Sequence, residues 1–172
     1  MNRPWLAHYP PGVPHTVDPE QYRSLAALLE ESFKKNAAQP VTVCMEQWMS
    51  YGELDAHSAA LGAWLQSKGL PAGARVAIML PNVPQFLVSM AAILRAGYTV
   101  VNVNPLYTAR ELEHQLKDSG AEAVVIFENF AGTLEEIIDH TAIQHVVVAS
   151  LGDLLGFWYG RWISFAVRHL AK

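Results

Sequence analysis

The chain has 172 residues, of which 51% are hydrophobic and 16% charged, enough for one domain with a real core and too apolar for a disordered segment. A formal net charge of -4 and a pI near 5.9 leave no basic field of the kind nucleic-acid binding requires, so no nucleic-acid partner is expected. The single cysteine, Cys44, rules out an internal disulfide, and its setting in VTVCM predicts a packed structural thiol rather than a nucleophile.

Residues 1–22 contain Pro4, Pro10, Pro11, Pro14 and Pro19, each removing an amide donor and fixing φ, which predicts an extended arm pinned by Trp5, Leu6 and Tyr9. This opening lacks an apolar run of signal-peptide length, so the expected location is cytoplasmic. From Ser24 onward, Leu25, Leu28, Leu29 and Phe33 share one helical stripe, and the helix should stop before Pro40. Val41 to Met45 and Gln47 to Ser50 read as a hairpin. Ser50 and Glu53 then stand at capping-box spacing for a helix from Tyr51 to Ser67 with Leu54, Leu61 and Leu65 inward and Gly69 as its cap.

The stretch from Arg75 to Phe127 organises the rest. Val76 to Leu80, Thr99 to Val103 and Ala123 to Phe127 are apolar on both alternations, as strands buried on both faces must be. Between them lie two segments of helical period, from about Gln85 to Arg95 and after Thr108, whose box partner is Glu111. A further helix from about Phe130 to His140 and a strand from His145 to Ala149 repeat the alternation. The expected fold is α/β, a parallel-sheet, doubly wound (flavodoxin-like or Rossmann-like) subdomain over 23–150 with a small hairpin and a C-terminal amphipathic helix.

That last segment, 151–172, places Leu151, Leu154, Leu155, Trp158, Trp162 and Phe165 on one side of a helical wheel. Asp153, Arg161, Ser164, Arg168 and Lys172 fall on the other. Charges at a bilayer centre cost about 2.5 to 3.5 kcal/mol each, so a spanning helix is disfavoured, and the face fits either a membrane interface or packing on protein. Gly152, Gly156 and Gly160 have the small-xxx-small spacing that permits close helix contact.

No GxGxxG, GxxxxGK[ST], HExxH or paired-cysteine motif occurs. His140 and His145 lack converging partners, so no metal site is expected. Glu111, Glu113 and His114 read as a solvated helix face with local ion pairs rather than a general base and its helpers. The better candidates are the turns Leu80 to Pro84 and Asn104 to Thr108, at the carboxyl ends of predicted parallel strands where open α/β sheets bind ligands. The helix after Thr108 would offer amides to an anion.

MLPNVPQF followed by AAILRAGYTVVNVNPLYTARELEHQLKDSGAEAVVIF, with the opening WLAHYPPGVPHTVDPEQYRSL and the later NFAGTLEEIIDHTAIQHVVV, resembles the amino-terminal region of bacterial long-chain fatty acid:CoA ligases, adenylate-forming acyl-CoA synthetases. The resemblance implies an enzyme that activates a long-chain fatty acid with ATP and Mg2+, forms an acyl-adenylate, and passes the acyl group to coenzyme A. It also implies a cytoplasmic location, peripheral on the inner face of the membrane. The family's phosphate loop, magnesium glutamate and mobile terminal domain have no counterpart within these residues, so no catalytic residue is assigned and the chain alone is expected to be inactive. By resemblance Asn104, Pro105 and Leu106 lie toward the coenzyme A side. The competing expectations are a non-catalytic interaction or membrane-docking module using 151–172, and a small nucleotide-binding regulator. Apolar surface left open also predicts self-association.

Overall fold

The computed structural model describes residues 3–170, without the side chains of 157 and 167–170. Among the described residues the chain runs α1 (Leu25–Lys35), β1 (Pro40–Cys44), β2 (Gln47–Ser50), α2 (Tyr51–Gln66), β3 (Arg75–Met79), α3 (Pro84–Arg95) and β4 (Thr99–Asn102). It continues through α4 (Ala109–Ser119), β5 (Ala123–Phe127), α5 (Ala131–Glu135), β6 (His145–Ala149) and α6 (Phe157–Leu170). β1 and β2 form an antiparallel hairpin, and the other strands form a parallel sheet in the order β4-β3-β5-β6.

Alternation along the two central strands builds two cores. Val76, Ile78, Ala123, Val125 and Phe127 face α2 and α3 through Leu65 and Ile93, while Ala77, Met79, Val124 and Ile126 face α4 and α5 through Leu112, Leu116 and Leu134. A sheet with helices on both faces is the doubly wound arrangement, and it explains why no polar side chain follows Arg75 in β3 or occurs in β5. A third cluster of Phe33, Met49, Leu54, Val88 and Ala91 seats α1 and the hairpin on the α2–α3 layer. That layer is also clamped electrostatically: Arg95 Nη1 lies 2.7 Å from Asp55 Oδ1 and donates to Ser58 Oγ at 2.9 Å.

Several expectations need correction. The arm is not wholly extended, because Pro4–His8 forms a 3-10 turn started by proline, and Trp5 and Tyr9 stay exposed with only Leu6 half-buried. Leu25 is solvent-exposed at the start of α1, so the buried stripe begins at Leu28, and Cys44 is half-buried rather than packed. The helix expected over 130–140 shrinks to α5 between 3-10 turns at Glu128–Phe130 and Ile138–His140. Buried Leu134 and Ile137 stand three residues apart, a spacing the tighter turn satisfies as well as an α-helix does.

The terminal segment departs most. Leu151–Leu154 forms a 3-10 turn, Gly156 takes φ 81°, and α6 starts afresh beyond it. Positive φ breaks the helical phase, so Leu155 is buried while Trp158, Trp162 and Phe165 face solvent. Arg168 and Lys172, placed on the polar side of the wheel, lie outside the described side chains. What docks α6 is its glycine side. A Cβ at Gly152 would land on the Gly160 carbonyl and the Ser164 hydroxyl, and one at Gly160 would land on the Gly152 carbonyl.

Replacing Gly160 with alanine should therefore loosen α6 from the domain, seen as lost amide-exchange protection over 160–166 with protection in β3 and β5 unchanged. Ile126→Ala, at a site with no exposure, should lower unfolding free energy by about 2 to 5 kcal/mol in urea titration.

Candidate functional site

The carboxyl edge of the parallel sheet gathers the loops after β3, β4, β5 and β6. After β3, Val83 N–H donates to Pro81 O at 2.8 Å, and α3 begins at Pro84 without a side-chain cap. The first buried polar group of that helix is Gln85, 6% exposed, whose Nε2 donates to Ser150 O at 2.7 Å. Gln85 thus ties the end of β3 to the end of β6, and its Oε1 is buried without a partner in the structure. The sequence offered one signal for it, a glutamine at an inward position of a largely apolar helix.

After β4, Asn104 Oδ1 accepts from Leu106 N–H at 3.0 Å, and Tyr107 N–H donates to Asn104 O at 3.2 Å. An asparagine that bonds two residues ahead fixes the turn by itself. Asn104 is therefore spent on the backbone, Pro105 is half-buried beside it, and Leu106 is left 81% exposed at the crest.

The turn feeds directly into the cap of α4. Thr108 Oγ1 accepts from Glu111 N–H, and Glu111 Oε2 accepts from Thr108 N–H at 2.9 Å and from Thr108 Oγ1 at 2.8 Å. The carboxylate thus sits where a bound anion would, so the anion-binding role expected of this helix start is already filled from within. Those hydrogen bonds, the backbone one foremost, hold the Glu111 carboxyl below its ordinary value. Glu53 is lowered in the same way by Ser50 at the start of α2.

An open depression of about 830 Å3 lies on the flank of α4, lined by Tyr107, Thr108, Arg110, Glu111, His114, Gln115 and Asp118. Gln115 Nε2 donates to Asn102 O at 2.8 Å, which anchors this flank to β4. Asn104, Pro105 and Leu106 are not among the residues that line the depression. His114 stands exposed in it, and Glu113 faces away toward Lys117 and His140, with 3.7 Å between His140 Nδ1 and Glu113 Oε1. Glu113 is lowered chiefly by the Lys117 hydrogen bond. Of the three residues expected to form an ion-paired face, Glu113 makes the pairs, Glu111 is taken up by the cap, and His114 is exposed. His145 is elsewhere, edge-on to the Trp64 ring at 6.5 Å between centroids, and no group of three or more His, Cys, Asp or Glu converges among the described residues.

The sheet order adds a point that motif reading missed. α3 leaves β3 on one face and α5 leaves β5 on the other, so the topological switch falls between those two strands, at the turns Leu80 to Val83 and Glu128–Phe130. Strand order cannot be read from one sequence, and only the Leu80 turn was anticipated.

Comparison with known proteins follows this geometry. Residues 29–156 match the family described as AMP-binding enzyme. The chain belongs to that family. Its relatives include the long-chain-fatty-acid-CoA ligase of Escherichia coli O157:H7, 47% identical over 100% of this chain and 31% of the relative. The Bacillus subtilis protein of the same name is 32% identical over 90% of this chain and 28% of its own length. Among solved structures, an anthranilate CoA ligase bound to anthranoyl-AMP superposes with a TM-score of 0.71 at 22% identity, covering 83% of this chain and 27% of that one. A long-chain-fatty-acid-CoA ligase from Archaeoglobus fulgidus gives 0.68 at 24% identity, covering 91% and 32%. These structural likenesses establish the α/β fold of this chain, which spans about a third of the length of the curated relatives it matches.

The α4 cap yields two expectations. Thr108→Ala should cost about 1 kcal/mol in urea denaturation. Because the Glu111 carboxyl titrates lower when folded than when unfolded, its contribution is complete above the ordinary glutamate value of 4.5 and disappears as pH falls through the folded value. The protection factors of the α4 amides, taken against their intrinsic exchange at each pH, should fall in acid, and Glu111→Gln should flatten that dependence.

Proposed function

We propose that this chain is the amino-terminal part of a long-chain fatty acid:CoA ligase. The single observation that carries the reading is 47% identity along the whole chain to a relative of that name. In the proposed reaction a fatty-acid carboxylate oxygen attacks the α-phosphate of ATP and pyrophosphate leaves. The thiol of coenzyme A then attacks the acyl carbon, AMP departs, and the thiol proton passes to solvent or a base. Mg2+ would neutralise phosphate charge. Among the described residues nothing resembles a phosphate loop or a carboxylate cluster for that metal, so these residues supply scaffold and rim, not the adenylation chemistry.

The division into an arm at 1–22, an α/β body at 23–150 and a helical segment at 151–172 is part of this proposal, supported by the Gly156 break and the prolines of the arm. So is a coenzyme A contact at Asn104, Pro105 and Leu106. The support is the position of this turn after β4, at the sheet's carboxyl edge, and the exposure of an apolar Leu106 on a turn that Asn104 holds. A cytoplasmic location, peripheral membrane contact and self-association complete the reading. No helix among the described residues is long and apolar enough to cross a membrane.

The chain alone, given palmitate, ATP, Mg2+ and coenzyme A, should release no pyrophosphate above a heat-killed blank, whereas the longer protein that contains it should form acyl-CoA. In that longer protein Leu106→Ala should raise KM for coenzyme A several-fold with KM for fatty acid unchanged. Equal effects on both would remove Leu106 from the coenzyme A contact.

A further inference from the structure

Beyond β6 the chain forms one interlocked unit. The Leu151–Leu154 turn packs against α6, Gly152 and Gly160 are both buried with no room for a Cβ on either, and Ser164 Oγ lies 3.5 Å from Ser150 Oγ. Backbones that meet so closely leave the turn and α6 little freedom to move apart.

This unit meets the α/β body along an apolar seam and at one polar point. Leu151 joins the cluster that contains Leu80, Val83, Phe127 and Phe130, residues beside the switch point between β3 and β5, and Leu154 joins the cluster that contains Val88 and Ala91 of α3. The polar point is Gln85, whose Nε2 donates to Ser150 O at 2.7 Å. Asp153 accepts from Ser150 N–H at 2.6 Å and from Ser150 Oγ at 2.7 Å, so the Ser150 carbonyl is presented to Gln85 in one orientation.

That tie is half satisfied. Gln85 is 6% exposed and its Oε1 is buried with no partner among the described residues, and an acceptor in that state forfeits the hydrogen bonds that water would give it. Opening the seam returns water to Oε1, which offsets part of the loss of the Ser150 bond. The side chains of β3 beyond Arg75 and of β5 are apolar and gain nothing of the kind from water.

From these observations we infer that residues 151–166 form a strap beside the switch point at the carboxyl edge of the sheet, opening as one piece about the end of β6, and that Gln85 is the catch that holds it shut. Opening exposes Leu151 and Leu155 and uncovers the ends of β3 and β5, the edge at which open α/β sheets bind ligands. Gln85 acts on that edge only through Ser150 and is a positioning residue. Neither strap nor catch depends on the ligase reading, because both belong to the chain without substrate.

Two measurements on the full chain test this. In native-state amide exchange at rising urea, the amides of 151–166 should open together, at a lower free energy than those of β3 and β5. In Gln85→Glu, with protection factors taken against intrinsic exchange at each pH, an ionised carboxylate at about pH 8 cannot donate to Ser150 O and is repelled by Asp153, so protection over 151–166 should fall about tenfold or more while β3 and β5 keep theirs. At about pH 5 burial keeps the proton on this carboxyl, its O–H donates in place of Nε2, and protection should return. Amides of 151–166 that open one by one, or only together with β3 and β5, would remove the strap. Gln85→Glu that leaves protection over 151–166 unchanged at the higher pH, or that lowers it equally in the sheet as a variant failing to fold would, removes Gln85 as the catch.

Discussion

A strand with neighbours on both sides and helices on both faces has nowhere to put a polar side chain along its buried length, and β3 beyond the exposed Arg75, like the whole of β5, obeys that constraint. Every side chain from Val76 to Met79 and from Val124 to Ile126 is 2% exposed or less. The hydrophobic effect acts on both faces at once, so the two helical layers are coupled through a sheet one residue thick. Everything described at the rim inherits its position from this pair, because the loops after β3 and β5 emerge where the strands stop.

Local chemistry then decides what each loop does. At Asn104 and Thr108 the polar side chains are spent locally, Asn104 on the Leu106 amide and Thr108 on Glu111, which leaves Leu106 exposed between them. At Gln85 the reverse holds: one end of the amide is used to link α3 to the end of β6, and the other remains buried and unmatched. Gln85 is a cross-tie within the scaffold.

Much of this was legible in the sequence because it is encoded over short distances. The apolar runs of β3, β4 and β5, and the boxes at Ser50 with Glu53 and Thr108 with Glu111, depend on residues a few positions apart and formed within a residue or so of expectation. What was not legible depends on distant partners. The shortened α5 answers to how Leu134 and Ile137 meet the sheet. The inversion of α6 answers to a contact between Gly152 and Gly160 and to one left-handed residue, Gly156, which resets the phase of any wheel drawn across it. At the rim, the sequence marked the Asn104 turn but could not reveal that Asn104 would be consumed by its own backbone, nor that the strand order would put the switch point beside β5.

The sheet also has an unfinished side. β6 pairs with β5 alone among the described strands, and Val146 and Val148 on its outer register remain open to water. A neighbour arriving from the same chain in parallel would need a crossover of about a dozen residues or more, but one from another molecule needs no linker and can approach in either direction.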